Sequence, residues 1–256
     1  MKKRVIRYSD EATDDFAGTH IRTKPLRPGY VYLHSGAVWS FVSFFLYRIV
    51  AQPLIFLFVK LTFLQRFENR GVLKSAKSSG AFIYANHTNA LLDAFVPNLV
   101  DWRRRGYIIV GPDAMSIPGL NGLLTMLGAV PLGSALKQKC DMLRCVDTRI
   151  RQKSLVAIYP EAHIWPFFTG IRPYSDASFS YPVRTGAPVY AMTNCYQKRR
   201  FGNFPKVTTW LDGPFFPDTG LSPVERRKKL REQCLSSMKA RAAQESTYSY
   251  VLYIRR

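Results

Sequence analysis

Acidic residues are scarce in this chain. It carries 17 Asp and Glu against 37 Lys and Arg, a formal net charge of +20, so an anionic partner is expected: a membrane surface, a phosphorylated or CoA-type substrate, or nucleic acid. Cysteine is sparse as well. Cys140, Cys145, Cys195 and Cys234 lack the paired spacings of zinc ribbons and are too few for a disulfide framework in 256 residues, which fits a reducing compartment. The basic start, Met1 to Arg7, is followed by acidic and polar residues and not by an apolar core, so no signal peptide is read. Internal repeats and low-complexity tracts are also missing.

Long uninterrupted apolar runs are absent too. Residues 38 to 64 are strongly apolar and aromatic, yet Arg48, Gln52, Pro53 and Lys60 divide them, whereas a simple spanning helix needs about 20 apolar residues in a row. The expectation is a shallow helical hairpin over 31–66 that dips into the membrane interface and returns. Two core helices of a soluble bundle, or one spanning helix with Arg48 snorkelling, are the alternatives. Basic residues on both sides put the flanks on the cytoplasmic face. Before the hairpin, residues 1–30 read as a polar basic arm without periodicity.

After residue 80 the pattern alternates. Short apolar runs at 81–85, 107–110, 129–132, 155–159, 189–194 and 207–211 read as strands. Helices are expected over 90–102, 117–127, 137–152 and 223–244, the last strongly basic. The fold class is therefore α/β: a mixed, largely parallel sheet flanked by helices, in one domain over 67–256 behind the membrane-associated two-helix segment.

Two strand ends carry chemistry. The strand at 81–85 runs into Asn86-His87-Thr88-Asn89-Ala90-Leu91-Leu92-Asp93, where Asn89 reads as a helix cap and Asp93 falls one turn inside the new helix. A carboxylate on one imidazole nitrogen fixes the tautomer and leaves the other nitrogen able to take a proton, which equips the pair for general-base work. The strand ending at Tyr159 runs into Pro160-Glu161-Ala162-His163. If the two strands are neighbours in a parallel sheet, His87 and Glu161 open onto one edge, where ligands of such sheets gather. A metal held by His87, Asp93, Glu161 and His163 is not supported by any close histidine spacing.

These residues resemble the glycerolipid acyltransferase family, whose best-known members acylate lysophosphatidate. Asn86 to Asp93 resembles its first motif, Tyr159-Pro160-Glu161 its third, and Ala187-Pro188-Val189 its fourth, in order across roughly residues 65 to 215. The resemblance implies transfer of a fatty acyl group from acyl-CoA or acyl carrier protein to a hydroxyl of a lysophospholipid, without another cofactor or a metal. It also implies His87 as general base, Asp93 as its orienting partner, and Glu161 in the acceptor pocket. Donors near Asn86 and Gly128 are the candidates to stabilise the oxyanion. Three departures stand out. Five residues, not the common four, separate His87 from Asp93; Ala162 stands where glycine is usual, followed by His163; and the second-motif arginine for the acceptor phosphate is missing from Leu127 to Gly133. Arg172 and Lys137 are the replacements considered, because a guanidinium grips phosphate through paired hydrogen bonds. Acceptor binding is thus expected of Asn86, Glu161, His163 and Arg172, with Trp165, Phe167 and Phe168 lining an acyl groove. Rival readings are a non-catalytic membrane-surface protein of the same fold and a lipid or thioester hydrolase. Nucleic-acid binding at Arg103-Arg104-Arg105 or Arg226 to Arg231 is set aside, since neither run lies in a reading motif; anionic lipid is the expected partner.

Overall fold

The structure, a computed structural model, describes residues 4–18, 23–76, 78–89, 92–117 and 119–256. Strand β1 (Arg4–Tyr8) is followed by a continuous helix over Ala37–Phe63. Its parts are α1 (Ala37–Phe44), a π-helical stretch (Phe45–Ala51) and α2 (Gln52–Phe63). Next come β2 (Arg66–Glu68), β3 (Ala81–Ala85), β4 (Gly106–Val110), α3 (Asn121–Met126) and β5 (Ala129–Pro131). The chain continues with α4 (Leu136–Arg151), β6 (Leu155–Ile158), α5 (Ser180–Thr185), β7 (Val189–Gln197), β8 (Lys206–Phe215), α6 (Pro223–Glu245) and β9 (Val251–Arg255).

Seven strands form the central sheet in the order β2-β8-β7-β3-β6-β4-β5. All neighbours are parallel except the β7–β8 hairpin, so the expected mixed, largely parallel sheet is what forms. Strand β3 lies at the centre, and alternate residues feed opposite cores: Phe82 and Tyr84 pack with Met142, Val146, Cys234 and Met238 of α4 and α6, while Ala81, Ile83 and Ala85 pack with Val59, Phe63 and Leu99. Burial on both faces is why this strand reads as a continuous apolar run. Helix α6 starts at a capping box in which Ser222 Oγ accepts from the Glu225 N–H and the Glu225 carboxylate accepts from the Ser222 N–H.

Three expectations are corrected. First, the apolar segment is one helix, not a hairpin. Pro53 lies in the first turn of α2, and the Gln52 N–H bonds to the Tyr47 carbonyl five residues back. The wider π turn absorbs the carbonyl clash and the missing N–H that would otherwise break the helix. At about 1.5 Å per residue it is on the order of 40 Å long. Of the residues that divide the run, Arg48 and Gln52 face the domain, together with Ser43 and Tyr47: Ser43 Oγ donates to the Met126 carbonyl (2.8 Å), Tyr47 Oη accepts from the Gly106 N–H (2.9 Å), Arg48 donates to the Trp102 and Arg103 carbonyls, and Gln52 Nε2 donates to the Asn98 carbonyl (2.7 Å). The opposite face, with Val38, Phe41, Phe44, Ile49, Leu54, Leu57 and Leu61, is exposed. Second, the helix expected over 90–102 does not form in its described part. Residues 92–95 make turns and Val96–Leu99 a 3₁₀ helix, because Pro97 would fall in the helix interior and every residue of that 3₁₀ turn is buried, leaving no polar face. Third, the basic arm is partly ordered: β1 pairs in parallel with β9 in a separate two-stranded ribbon, Arg4 opposite Val251 through Tyr8 opposite Arg255.

Candidate active site

Parallel pairing of β3 with β6 and β7 brings the ends of three strands to one edge. Asn86 terminates β3. Its side chain spans to β7, donating to the Asn194 carbonyl (3.1 Å) and accepting from the Asn194 N–H (2.8 Å). With its amide oxygen and one N–H engaged by the Asn194 backbone and the residue buried, Asn86 holds the strand end in place.

His87 follows on the turn. Its Nδ1 lies 2.8 Å from Asp93 Oδ2, and the same oxygen accepts from the Asn89 N–H at 2.8 Å. Asn89 Oδ1 in turn accepts from the Leu92 N–H (3.3 Å), as the expected cap does. Despite the longer spacing, the carboxylate thus reaches the ring. Asp93 is buried, while the His87 side chain keeps 18% of its surface. A carboxylate at Nδ1 selects the tautomer with its proton there, and no described residue bonds to Nε2. Tyr159 stacks on the imidazole at 4.5 Å between ring centres, and its hydroxyl donates to the Asp93 carbonyl.

The loop after β6 lies along the His87 loop. The Trp165 N–H donates to the His87 carbonyl (3.1 Å) and the Phe167 N–H to the Thr88 carbonyl (2.8 Å). Glu161 ties the two together: Oε2 accepts from the His87 N–H (3.2 Å) and from Arg172 Nη2 (3.2 Å), and Oε1 from the Arg172 N–H (3.1 Å). Both side chains of this pair are fully buried. Burial pushes the Glu161 carboxyl up from its ordinary value, opposed in turn by the Arg172 guanidinium and the two backbone N–H groups. Arg172 also donates to the Glu11 and His163 carbonyls and lies 5.1 Å from the Trp165 ring centre.

The phosphate role expected of Arg172 is therefore corrected: the side chain is fully buried, and Nη1 and Nη2 donate to Glu161 and to backbone carbonyls inside the protein. Glu161, equally enclosed, positions the His87 backbone and does not line an open pocket. The His163 side chain is partly exposed and turned to the N-terminal arm, with Nδ1 3.9 Å from Asp15 Oδ2. Lys137 is exposed on the first turn of α4. Trp165 is fully buried among Tyr8, Phe16, Phe168 and Tyr253, while half-buried Phe167 meets Phe63, at the end of α2, and Phe204. Among the described residues no group of three or more His, Cys, Asp and Glu side chains could hold a metal.

Ala162, where the family pattern has glycine, has φ +62°. A side chain in this left-handed region costs on the order of 1 kcal/mol that glycine avoids. Ala162→Gly is expected to raise the unfolding free energy by roughly 0.5 kcal/mol, the gain being trimmed by glycine's extra freedom when unfolded; urea denaturation checks this, and a lower midpoint would refute it.

A buried carboxylate with an imidazole beside it, at the end of a strand in a largely parallel sheet, is an arrangement in which an α/β transferase or hydrolase can use histidine as a base. Comparison with known proteins selects between these. The acyltransferase family model matches residues 65–194, half of the chain, and the protein belongs to that family. Among solved structures, the 1-acyl-sn-glycerophosphate (LPA) acyltransferase PlsC from Thermotoga maritima has a similar fold, with a TM-score of 0.55 and 19% sequence identity over 80% of this chain and 87% of that one. No curated protein sequence matches the chain significantly.

Proposed function

We propose that the protein is a membrane-associated O-acyltransferase that moves a fatty acyl group from acyl-CoA or acyl carrier protein to the hydroxyl of a lysophospholipid such as lysophosphatidate. The observation that carries this reading is the His87 Nδ1–Asp93 Oδ2 contact of 2.8 Å at the sheet edge, in a chain of the acyltransferase family. His87 Nε2 takes the acceptor's hydroxyl proton as the oxygen attacks the thioester carbonyl. The C–S bond breaks on collapse of the tetrahedral adduct, and the imidazolium returns its proton to the departing thiolate. Asp93 holds the tautomer and stabilises the imidazolium, and Tyr159 fixes the ring plane. Lysophosphatidate as acceptor draws its support from the activity of the Thermotoga protein; its phosphate would be met by groups other than Arg172. The test is thioester consumption by purified protein with palmitoyl-CoA, with and without lysophosphatidate, alongside lipid-product identification. Acceptor-dependent turnover is expected, and acceptor-independent cleavage would replace this reading with a hydrolase.

Membrane association draws on the exposed apolar face of Ala37–Phe63, whose mean hydropathy reaches 1.9, and on the net charge of +20. Because the polar face docks on the domain, the helix is expected to lie along the interface with Phe41 and Phe44 in the acyl region. Replacing both by Asp is expected to abolish flotation with phosphatidylcholine–phosphatidylglycerol vesicles; unchanged flotation would refute this placement.

A further inference from the structure

The opposite edge of the sheet, at the amino ends of the strands, holds a polar cavity of about 90 Å³, well above the roughly 10–15 Å³ that one water requires. Arg105, just before β4, and Arg149, in the last turn of α4, both line it. Both guanidinium groups lie against the ring of Tyr107, at 5.3 and 4.4 Å from its centre. Neither forms an ion pair among the described residues, and none of the described residues lining the cavity is acidic. Three donors here are buried without an acceptor: Arg105 Nε, Arg149 Nε and the hydroxyl of Tyr32, a residue only 7% exposed. Arg105 Nη2 is already engaged by Ser43 Oγ (2.6 Å) and the Met126 carbonyl (2.5 Å), and Arg149 Nη1 by Gln152 Oε1 (2.9 Å). Two guanidinium groups lining one space without a counter-charge among the residues around it are costly unless an anion with several acceptor oxygens occupies it.

We propose that this cavity binds a phosphate group, and that the phosphate belongs to the headgroup of an anionic membrane lipid. The lipid source rests on the membrane association proposed above. Trp39, Ser40 and Ser43 of α1 form one wall, and the neighbouring Phe41 and Phe44 are exposed, so the cavity lies where the apolar helix begins and where headgroups lie if that helix is in the interface. The carboxyl ends of β3 and β6, with His87, are at the other end of the sheet, which makes the occupant a bound lipid distinct from the reacting acceptor.

The experiment uses the full chain. Flotation is measured with phosphatidylcholine vesicles, with and without one-fifth phosphatidic acid, and inorganic phosphate is titrated calorimetrically into the protein in detergent. Arg149→Gln and Tyr32→Phe remove cavity donors; Arg144→Gln, on the same helix but ion-paired with Asp141 at the surface, removes the same charge elsewhere. The gain in vesicle affinity from phosphatidic acid is expected to fall roughly ten-fold in Arg149→Gln, as for loss of one charge-assisted hydrogen bond, by less in Tyr32→Phe, and hardly in Arg144→Gln. Equal losses in Arg149→Gln and Arg144→Gln would overturn the site in favour of general surface charge. Phosphate binding that needs Arg149, without any effect of phosphatidic acid, would overturn the lipid source. If wild type floats with neither vesicle, the membrane reading fails with it, while the phosphate titration still reports on the cavity. Thioester turnover in detergent is expected unchanged in Arg149→Gln, and flotation unchanged in His87→Ala, so the catalytic reading fails or stands separately.

Discussion

Replacing His87 with alanine is expected to lower acceptor-dependent thioester turnover by roughly 10²–10⁴-fold, the range a positioned general base supplies, equivalent to about 3–5 kcal/mol of barrier. The loss should appear in kcat, since Asp93 occupies Nδ1 and no described residue bonds to Nε2, the nitrogen left to take the proton. Asp93→Asn is expected to approach the same loss by a different route: an amide can present its NH₂ toward Nδ1, which favours the wrong tautomer, and it weakens the bond that holds the Asn89 N–H at 2.8 Å. Both variants leave a buried site imperfectly filled, so rates should be normalised to the folded fraction by near-UV circular dichroism. Turnover within a few-fold of wild type in folded His87→Ala would refute the assignment of the base.

Arg172→Met is expected to cost about 3–5 kcal/mol of stability, because it strands the Glu161 carboxylate in the interior. For a domain of this size each kcal/mol corresponds to about 2–4 °C in Tm. The variant also frees the Glu11 and His163 carbonyls, loosening the N-terminal arm. A double variant, Glu161→Gln with Arg172→Met, should recover part of the loss, since the unpaired charge is gone and an acceptor oxygen remains for one backbone N–H. The pH dependence has a definite sign. Burial raises the Glu161 carboxyl in the folded state, so between the ordinary glutamate value and the raised one the folded protein holds the extra proton, and this group's contribution to stability falls as pH rises through that window. Without Arg172 the carboxyl is raised further, and the decline in Tm with pH should be deeper and extend to higher pH than in wild type. A Tm that rises with pH in Arg172→Met relative to wild type would refute this account.

How far the chain could be read in advance depended on the range of the interactions involved. The strands at β3, β6 and β7 were legible because burial on both faces demands continuous apolar residues. The His87–Asp93 pair was legible because its members are joined by one short loop. Strands β1 and β9 were not, since each is stabilised by the other from the far end of the chain and neither has a periodic core face. The continuity of the apolar helix is hidden at Arg48, Gln52 and Pro53. Taken locally they break a span, but in space a π turn absorbs the proline and backbone carbonyls of residues 98–103 receive the polar side chains.

Glu161 and Arg172 show the same limit inside the site. Their types and positions at a strand end were plain, yet only the sheet order β7-β3-β6 determines that the carboxylate reaches the His87 N–H and that the guanidinium is consumed by it rather than exposed. The sequence by itself determined the chemistry available at the strand ends and the α/β class, because both follow from residue type and short-range periodicity. The tertiary structure alone decided which of those groups face solvent and which neutralise one another, because burial and pairing between residues far apart in the chain are set by the packing of the whole sheet.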